Sequence, residues 1–405
     1  VRGNIVQLDW TDGNAITLLE NGTDFFPALC AAIDGARHSV HLETYIFVLD
    51  RTGIRVLDSL MKAARRGIKV RVVLDGFGSA EQAENIQSQL RGAGAQCLVY
   101  RPEPKWFVRW VPSRQRLRRL HRKLAVVDGE TAFVGGINIL DDYDDLDPSD
   151  GVPVPRFDYA VDIRGPVVPY VQHAQELLWV RLNWSRLRKH PRDWRKLRLR
   201  RPRPHGPQDP NAGTLRAALV LRDNVRYRKT FESAYLYGIQ TARREILIAN
   251  AYFLPGKQFR DELIRAARRG VRVRVLVQGK VEYRMQYHAT RALYAPLLAA
   301  GIDIVEYMPS YLHAKVAVID DIAVVGSSNI DPFSFLLARE ANVVVDDRAF
   351  AAQLRTSLEA AIDAGGSRIL AHDYHGRGWA RRIADGLSYR LMRFGISWSG
   401  VPGEY

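Results

Sequence analysis

The sequence predicts an α/β fold built twice over, and two observations carry that expectation. Residues 60–76, LMKAARRGIKVRVVLDG, return as residues 263–279, LIRAARRGVRVRVLVQG, with Gly67 and Gly270 203 positions apart. Residues 121–138, HRKLAVVDGETAFVGGIN, return as residues 313–329, HAKVAVIDDIAVVGSSN. Self-similarity over such a distance marks a duplicated structural unit.

Each copy of the first string reads as the end of a helix, a glycine cap, and a β-branched buried strand. Upstream, HSVHLETYIF (38–47) parallels REILIANAYF (244–253), and both read as strands running into a loop. Each half therefore begins strand, loop, helix, strand, which is α/β in character. Downstream, LAVVD and VAVID turn through Asp-Gly or Asp-Asp into a second apolar run, a β-hairpin pattern. The two motif histidines are only 192 apart because the first half carries an insertion near 101–120. These boundaries give a first domain over 1–180 and a basic, Trp-containing, then Pro-rich linker over 181–212. A second domain over 213–364 and a basic amphipathic tail over 365–405 follow.

Composition limits the function classes. The 405 residues are 47% hydrophobic and 25% charged, as in a folded globular protein. Two cysteines, Cys30 and Cys97, exclude a disulfide scaffold and a Cys-rich zinc module, and fit a reducing compartment. No run of about 18 apolar residues exists to span a bilayer as a helix. No signal-peptide pattern is visible, although a chain starting at Val1 leaves room for a trimmed leader. The formal charge of +15 predicts attraction to polyanions, either nucleic acid or anionic membrane, beside the plainer reading of a basic soluble surface.

The chemistry lies in a repeated HxKxxxxD string followed by a small-residue turn and Asn. The first copy is His121, Lys123, Asp128, Gly135, Gly136 and Asn138; the second is His313, Lys315, Asp320, Gly326, Ser327 and Asn329. Residues i and i+2 of a strand share a face, so each His points with its Lys. Asp128 and Asp320 close the motifs but have the opposite parity and sit at the turn, which reads as a structural or second-shell position. The Gly-Gly and Gly-Ser stretches would let backbone N–H groups approach an anion. Two His, two Lys and two Asn about one point suit a phosphodiester: one imidazole attacks phosphorus and the other protonates the leaving oxygen. Ammonium and amide groups stabilise the equatorial oxygens, so neither metal nor cofactor is expected.

With these motifs the chain resembles the phospholipase D superfamily, most closely the bacterial cardiolipin synthases of the B-type that lack N-terminal membrane helices. The resemblance also rests on LLENGTDFFPAL (18–29), HLETYIF (41–47), LDGFGS (74–79), LHRK (120–123), ANAYFLPG (249–256), GSSNIDPFSF (326–335) and REANVVV (339–345). It implies two α/β sandwich domains related by a pseudo-twofold with the active site at their interface, and a covalent phosphohistidine intermediate. It implies His121 as nucleophile, His313 as acid and base, and Glu340 and Asp158 as carboxylates that orient the imidazoles. It further implies phosphatidyl transfer between two phosphatidylglycerol molecules, giving cardiolipin and glycerol, at the cytoplasmic face of a bacterial inner membrane. Ser328, beside Ser327, joins the expected phosphate-binding or second-shell set.

Three basic and aromatic segments are candidate membrane contacts: 105–120, 181–203 and a helix over 377–394. In the last, Trp379, Ile383, Leu387, Leu391 and Phe394 recur at helical spacing among arginines, a face that could equally cover the core. Glu43 and Tyr45, with Asn250 and Tyr252, are candidates for pocket lining, beside the plainer reading of simple packing. Asp75-Gly-Phe-Gly-Ser reads as a strand-end turn, and Asn21-Gly-Thr as a chance glycosylation sequon. The rival readings are a nuclease of the same superfamily, a phosphatidyltransferase using phosphatidylethanolamine or glycerol, and a membrane protein with a vestigial site. No nucleic-acid partner is expected on the leading reading.

Overall fold

The structure, a computed structural model, describes residues 8–103, 118–143, 153–186, 213–223, 227–376 and 378–398. These fall into two compact units. One holds 8–143, 160–186 and 213–219; the other holds 153–159, 220–223, 227–376 and 378–398.

The first unit runs β1 (Trp10–Glu20), α1 (Asn21–Asp34), β2 (Ser39–Thr44), α2 (Arg51–Arg65), β3 (Lys69–Asp75), α3 (Ala83–Gly92) and β4 (Gln96–Tyr100). It continues with β5 (Lys123–Val127), β6 (Thr131–Gly135), β7 (Tyr159–Arg164) and α4 (Val168–Arg186). Its strands lie in the order β1-β7-β6-β5-β2-β3-β4. β2, β3 and β4 pair parallel, while β5, β6 and β7 add antiparallel strands. The first residues of β8 (Leu215–Arg222) pair with β1, Trp10 opposite Ala218.

Strand periodicity explains the layers. Val70, Val72 and Leu74 of β3 join the core formed with Phe26, Leu29, Val56, Leu60, Ile86 and Leu90 of the first three helices. Val73, of opposite parity, packs with Leu98, Tyr100, Leu178 and Trp179 on the other face. Both faces of the parallel strands are thus covered, as a buried parallel sheet requires. Helix α2 starts where Asp50 accepts the Gly53 N–H at 2.7 Å and stops at Gly67, whose φ of 87° an L-residue with a side chain rarely adopts.

The second unit repeats the plan: α5 (Thr230–Thr241), β9 (Glu245–Asn250), α6 (Lys257–Arg268), β10 (Arg272–Gln278), α7 (Arg284–Arg291), α8 (Tyr294–Ala299), β11 (Asp303–Tyr307), β12 (Lys315–Ile319) and β13 (Ile322–Gly326). After these come α9 (Pro332–Leu336), β14 (Glu340–Asp346), α10 (Arg348–Gly365), β15 (Gly366–Arg368), α11 (Ala371–His375) and α12 (Trp379–Trp398). Its strand order, β15-β11-β10-β9-β12-β13-β14, reproduces that of the first unit from β4 through β7, with β15 added outside. Gly270 matches Gly67 with φ 90°. Residues 153–159 belong with this unit although they lead into β7 and include its first residue, Tyr159; Phe157 bridges Leu312.

The two motif hairpins differ by one residue, and the turn absorbs it. Val127 pairs with Thr131 around the three-residue loop Asp128–Glu130, whereas Ile319 pairs with Ile322 around Asp320 and Asp321. Gly135 and Gly326 therefore hold the same place at the ends of β6 and β13. No described helix is long and apolar enough to cross a membrane.

Candidate active site

Each motif stands at the start of a buried hairpin strand. In the second unit His313 precedes β12, is 8% exposed, and its main-chain N–H donates to Phe157 O at 2.8 Å. Lys315, first in β12, is 1% exposed, and its ammonium bonds back to the His313 carbonyl. The first unit has the same arrangement, with Lys123 Nζ donating to His121 O at 2.9 Å. Alternation along the strand thus brings each Lys beside its His.

The carboxylate of Asp158 lies 2.6 Å from His313 Nδ1 and also accepts the Tyr159 N–H at 2.8 Å. A carboxylate accepts, so the Nδ1 proton points to Asp158, which sets the tautomer of the ring. Both side chains are nearly buried, which strengthens the contact. Asp158 thus serves the histidine of the second motif, although it follows the first motif in the chain. Glu340, at the start of β14, accepts the Ser327 hydroxyl at 2.6 Å.

Burial dominates the ammonium of Lys315 and, against the pull of Asp158, brings its pKa down from 10.5 to about 8. Asn329 is buried, and its Oδ1 has no partner among the described residues. An amide with unspent hydrogen-bonding capacity in a buried position suits a polar ligand.

The small residues after β13 serve the scaffold instead of an anion. The Ser327 N–H donates to Ala341 O at 3.1 Å, and the Ser328 N–H to Asn342 Oδ1 at 3.3 Å. The expectation that these two N–H groups cradle phosphate therefore fails, because β14 continues the ladder beyond Gly326. Gly326 is needed for close approach: a Cβ there would lie 2.6 Å from Ala341 O and strike Asn342 Oδ1. Gly136 is buried beyond the end of β6, and Asn138 Oδ1 accepts the Ile46 N–H at 3.3 Å.

Asp128 and Asp320 sit at the opposite end of their strands from the His-Lys pair. Asp128 accepts the N–H groups of Arg37, His38 and Ser39 at 2.7–2.8 Å. Asp320 does the same for Arg243, Arg244 and Glu245 at 2.8–3.0 Å. Partial burial pushes each carboxyl up, but the three backbone donors outweigh it and hold both below the usual value. Each lies five positions beyond its Lys, roughly 17 Å at strand rise. They fasten the hairpin turn to the start of the neighbouring strand.

The pocket candidates divide by role. Tyr45 packs edge-on to His121 with ring centroids 4.8 Å apart, and Lys123 Nζ lies 5.3 Å from the same ring. Glu43 pairs with Arg122 at 2.8 Å, both buried. Asn250 holds the loop before α9, accepting the Ile330 N–H at 2.9 Å. Tyr252 donates to Glu282 at 2.7 Å and lines a narrow cleft with Tyr283 and Tyr287.

Sequence reasoning missed a matched pair of supports. Asp75 at the end of β3 accepts the Leu120 N–H at 2.8 Å, and Gln278 at the end of β10 accepts the Leu312 N–H at 3.0 Å. Each fixes the backbone one residue before a motif histidine. The available signal was a polar residue at the same place in both VRVVLDG and VRVLVQG. Asp331 was also missed; burial lifts its carboxyl to about 7, and it caps α9 through the Ser334 N–H at 2.7 Å.

The membrane candidates fare differently. Most of 105–120 and of 181–203 lies outside the described residues; α4 is described through residue 186. The helix over 377–394 is present as α12, and its five apolar residues are 53–76% exposed, so they do not cover the core. Among the described residues no group of three His, Cys, Asp or Glu side chains could hold a metal ion.

Comparison with known proteins shows the family of the chain. A family profile described as "Cardiolipin synthase, PLD-like domain" matches residues 29–143 and 235–362, so each match contains one motif. Cardiolipin synthase B of Escherichia coli K12 is 36% identical over 96% of this chain and 90% of its own length. The Salmonella typhimurium protein of that name is 39% identical over 87% and 81%. The major cardiolipin synthase of Bacillus subtilis is 31% identical over 86% and 69%. The crystal structure of phosphatidylserine synthase from Haemophilus influenzae shares the fold, with a TM-score of 0.69 at 14% identity, covering 98% of this chain and 97% of that one. The chain belongs to the cardiolipin synthase family of phospholipase D-like proteins.

Proposed function

We propose that the protein transfers a phosphatidyl group from one phosphatidylglycerol to another, forming cardiolipin and releasing glycerol. Neutral His121 attacks phosphorus through a ring nitrogen. The P–O bond to the departing glycerol breaks, and His313 gives that oxygen its Nε2 proton. The terminal hydroxyl of a second phosphatidylglycerol then loses its proton to His313, attacks phosphorus and breaks the P–N bond. Lys123 and Lys315 offset charge on the phosphoryl oxygens, and Asn138 and Asn329 add amide donors. Asp158 holds the His313 tautomer throughout, and Glu340 supports the loop that carries Asn329.

The observation that carries this reading is the buried 2.6 Å contact between Asp158 and His313 Nδ1, beside a lysine that burial has made less basic. It supplies an oriented proton carrier next to an anion-binding cation, as phosphodiester exchange requires. The protein works on anionic phospholipid as a peripheral protein at the cytoplasmic face of a bacterial inner membrane.

The test is product analysis. Purified protein is incubated with phosphatidylglycerol vesicles, with single-stranded DNA as a parallel substrate, and products are identified by mass spectrometry. Cardiolipin with glycerol is the expected outcome. DNA cleavage without lipid turnover would overturn the reading in favour of a nuclease.

A further inference from the structure

Helix α12 is anchored by one face and bare on the other. On the anchored face Asp385 Oδ1 lies 2.8 Å from His288 Nδ1, and Met392 packs with Leu254, Ala289 and Leu293. Tyr389 on the same side meets Arg260 at 3.4 Å. Trp379, Ile383, Leu387, Leu391 and Phe394 are 76, 58, 55, 53 and 70% exposed. At about 100° per residue these five fall within an arc of about 120°, whose centre is opposite the anchored side chains. Arg382 and Arg393 are exposed just outside one edge of that arc, and Arg390 is exposed just inside the same edge.

A row of five large exposed apolar side chains is costly in water unless something covers it. The arginine edge selects the cover. A second copy would set its own arginines against these, since a twofold contact brings like surfaces together. An anionic lipid surface satisfies both features at once: acyl chains take the apolar arc and headgroup phosphates take the guanidinium groups.

We infer that α12 is a membrane-docking helix that lies in the surface of an anionic phospholipid bilayer, with the Trp379–Phe394 stripe inserted. The choice of an anionic bilayer rests on the proposed lipid reading, and the assay below separates the two. The opposite, anchored face holds α7 through Asp385 and His288, so the helix fixes the orientation of its unit on the membrane.

The test is flotation of the full chain with vesicles of phosphatidylglycerol and phosphatidylcholine, against phosphatidylcholine alone. The triple variant Ile383→Ser, Leu387→Ser, Leu391→Ser should lose affinity for the mixed vesicles by on the order of 10²-fold. The triple variant Arg382→Gln, Arg390→Gln, Arg393→Gln should lose the preference for anionic vesicles. Both should keep the parent's turnover of a short-chain phosphatidylglycerol dissolved below its micellar concentration, which shows the site intact. Unchanged flotation of the serine variant would overturn the inference. So would sedimentation of the parent as a dimer that the serine variant splits while vesicle binding persists. A parent that floats through α12 but turns over no lipid would sink the transferase reading and leave the docking role standing.

Discussion

At the residue scale the contact between Asp158 and His313 decides most. If the carboxylate fixes the Nδ1 proton, Asp158→Asn leaves the imidazole in place but favours the wrong tautomer. Turnover should fall on the order of 10³–10⁴-fold with little change in KM or melting temperature. Steady-state kinetics beside a thermal melt checks this. Lys315 gives a pH signature. Its ammonium is charged below about 8 and loses its proton as pH rises through that value, far below the 10.5 of a free lysine. The profile of kcat/KM should therefore decline above about pH 8, because that ratio reports groups of the free enzyme. A profile flat to pH 10 would show the ammonium to be dispensable. The His-Lys pairs were legible because they need only strand alternation. The partner of Asp158 was not, since no local rule joins residues 155 positions apart.

At the element scale the turns of the two motif hairpins are fastened by Asp128 and Asp320. Asp320→Ala removes the acceptor of three backbone donors. Discounted for partial exposure, the expected cost is about 2 kcal/mol, read by urea unfolding. Because both folded carboxyls titrate below their unfolded value, their stabilisation is present above about pH 4. It is lost as pH falls through the lower folded value, so the Ala variant should show a smaller acid loss than the parent. Gly326→Ala would drive a methyl into Ala341 O and Asn342 and should destabilise by more than about 2 kcal/mol. The repeated strings gave the helix–glycine–strand pattern and both hairpins directly. They could not reveal that the serine N–H groups after β13 are spent on β14, since the reach of a ladder depends on a strand formed later in the chain. Asp75 and Gln278 went unseen for a related reason: each acts on backbone brought close only by the sheet.

At the scale of the whole molecule, duplication and charge are the two governing facts. Each family match holds one complete motif, and the strand orders agree from β4 through β7 and from β11 through β14. The net charge of +15 should make binding to anionic vesicles fall steeply as sodium chloride rises from about 0.05 to 0.5 M, with little effect on neutral vesicles. Co-sedimentation at graded salt measures it. Charge could be counted in the sequence, but whether the apolar arc of the final helix faced the core or outward could not. Burial of Asp385 and Met392 fixes that face only once α7 is in position. The proposed phosphatidyl transfer uses two imidazoles, those of His121 and His313. Its most direct test is mass-spectrometric detection of the phosphatidyl–protein adduct after rapid acid or base quenching of a phosphatidylglycerol reaction. The two-imidazole transfer requires an adduct on His121 in the parent, none in His121→Ala, and no cardiolipin from either His121→Ala or His313→Ala. Cardiolipin formed at the parental rate by either variant would contradict it.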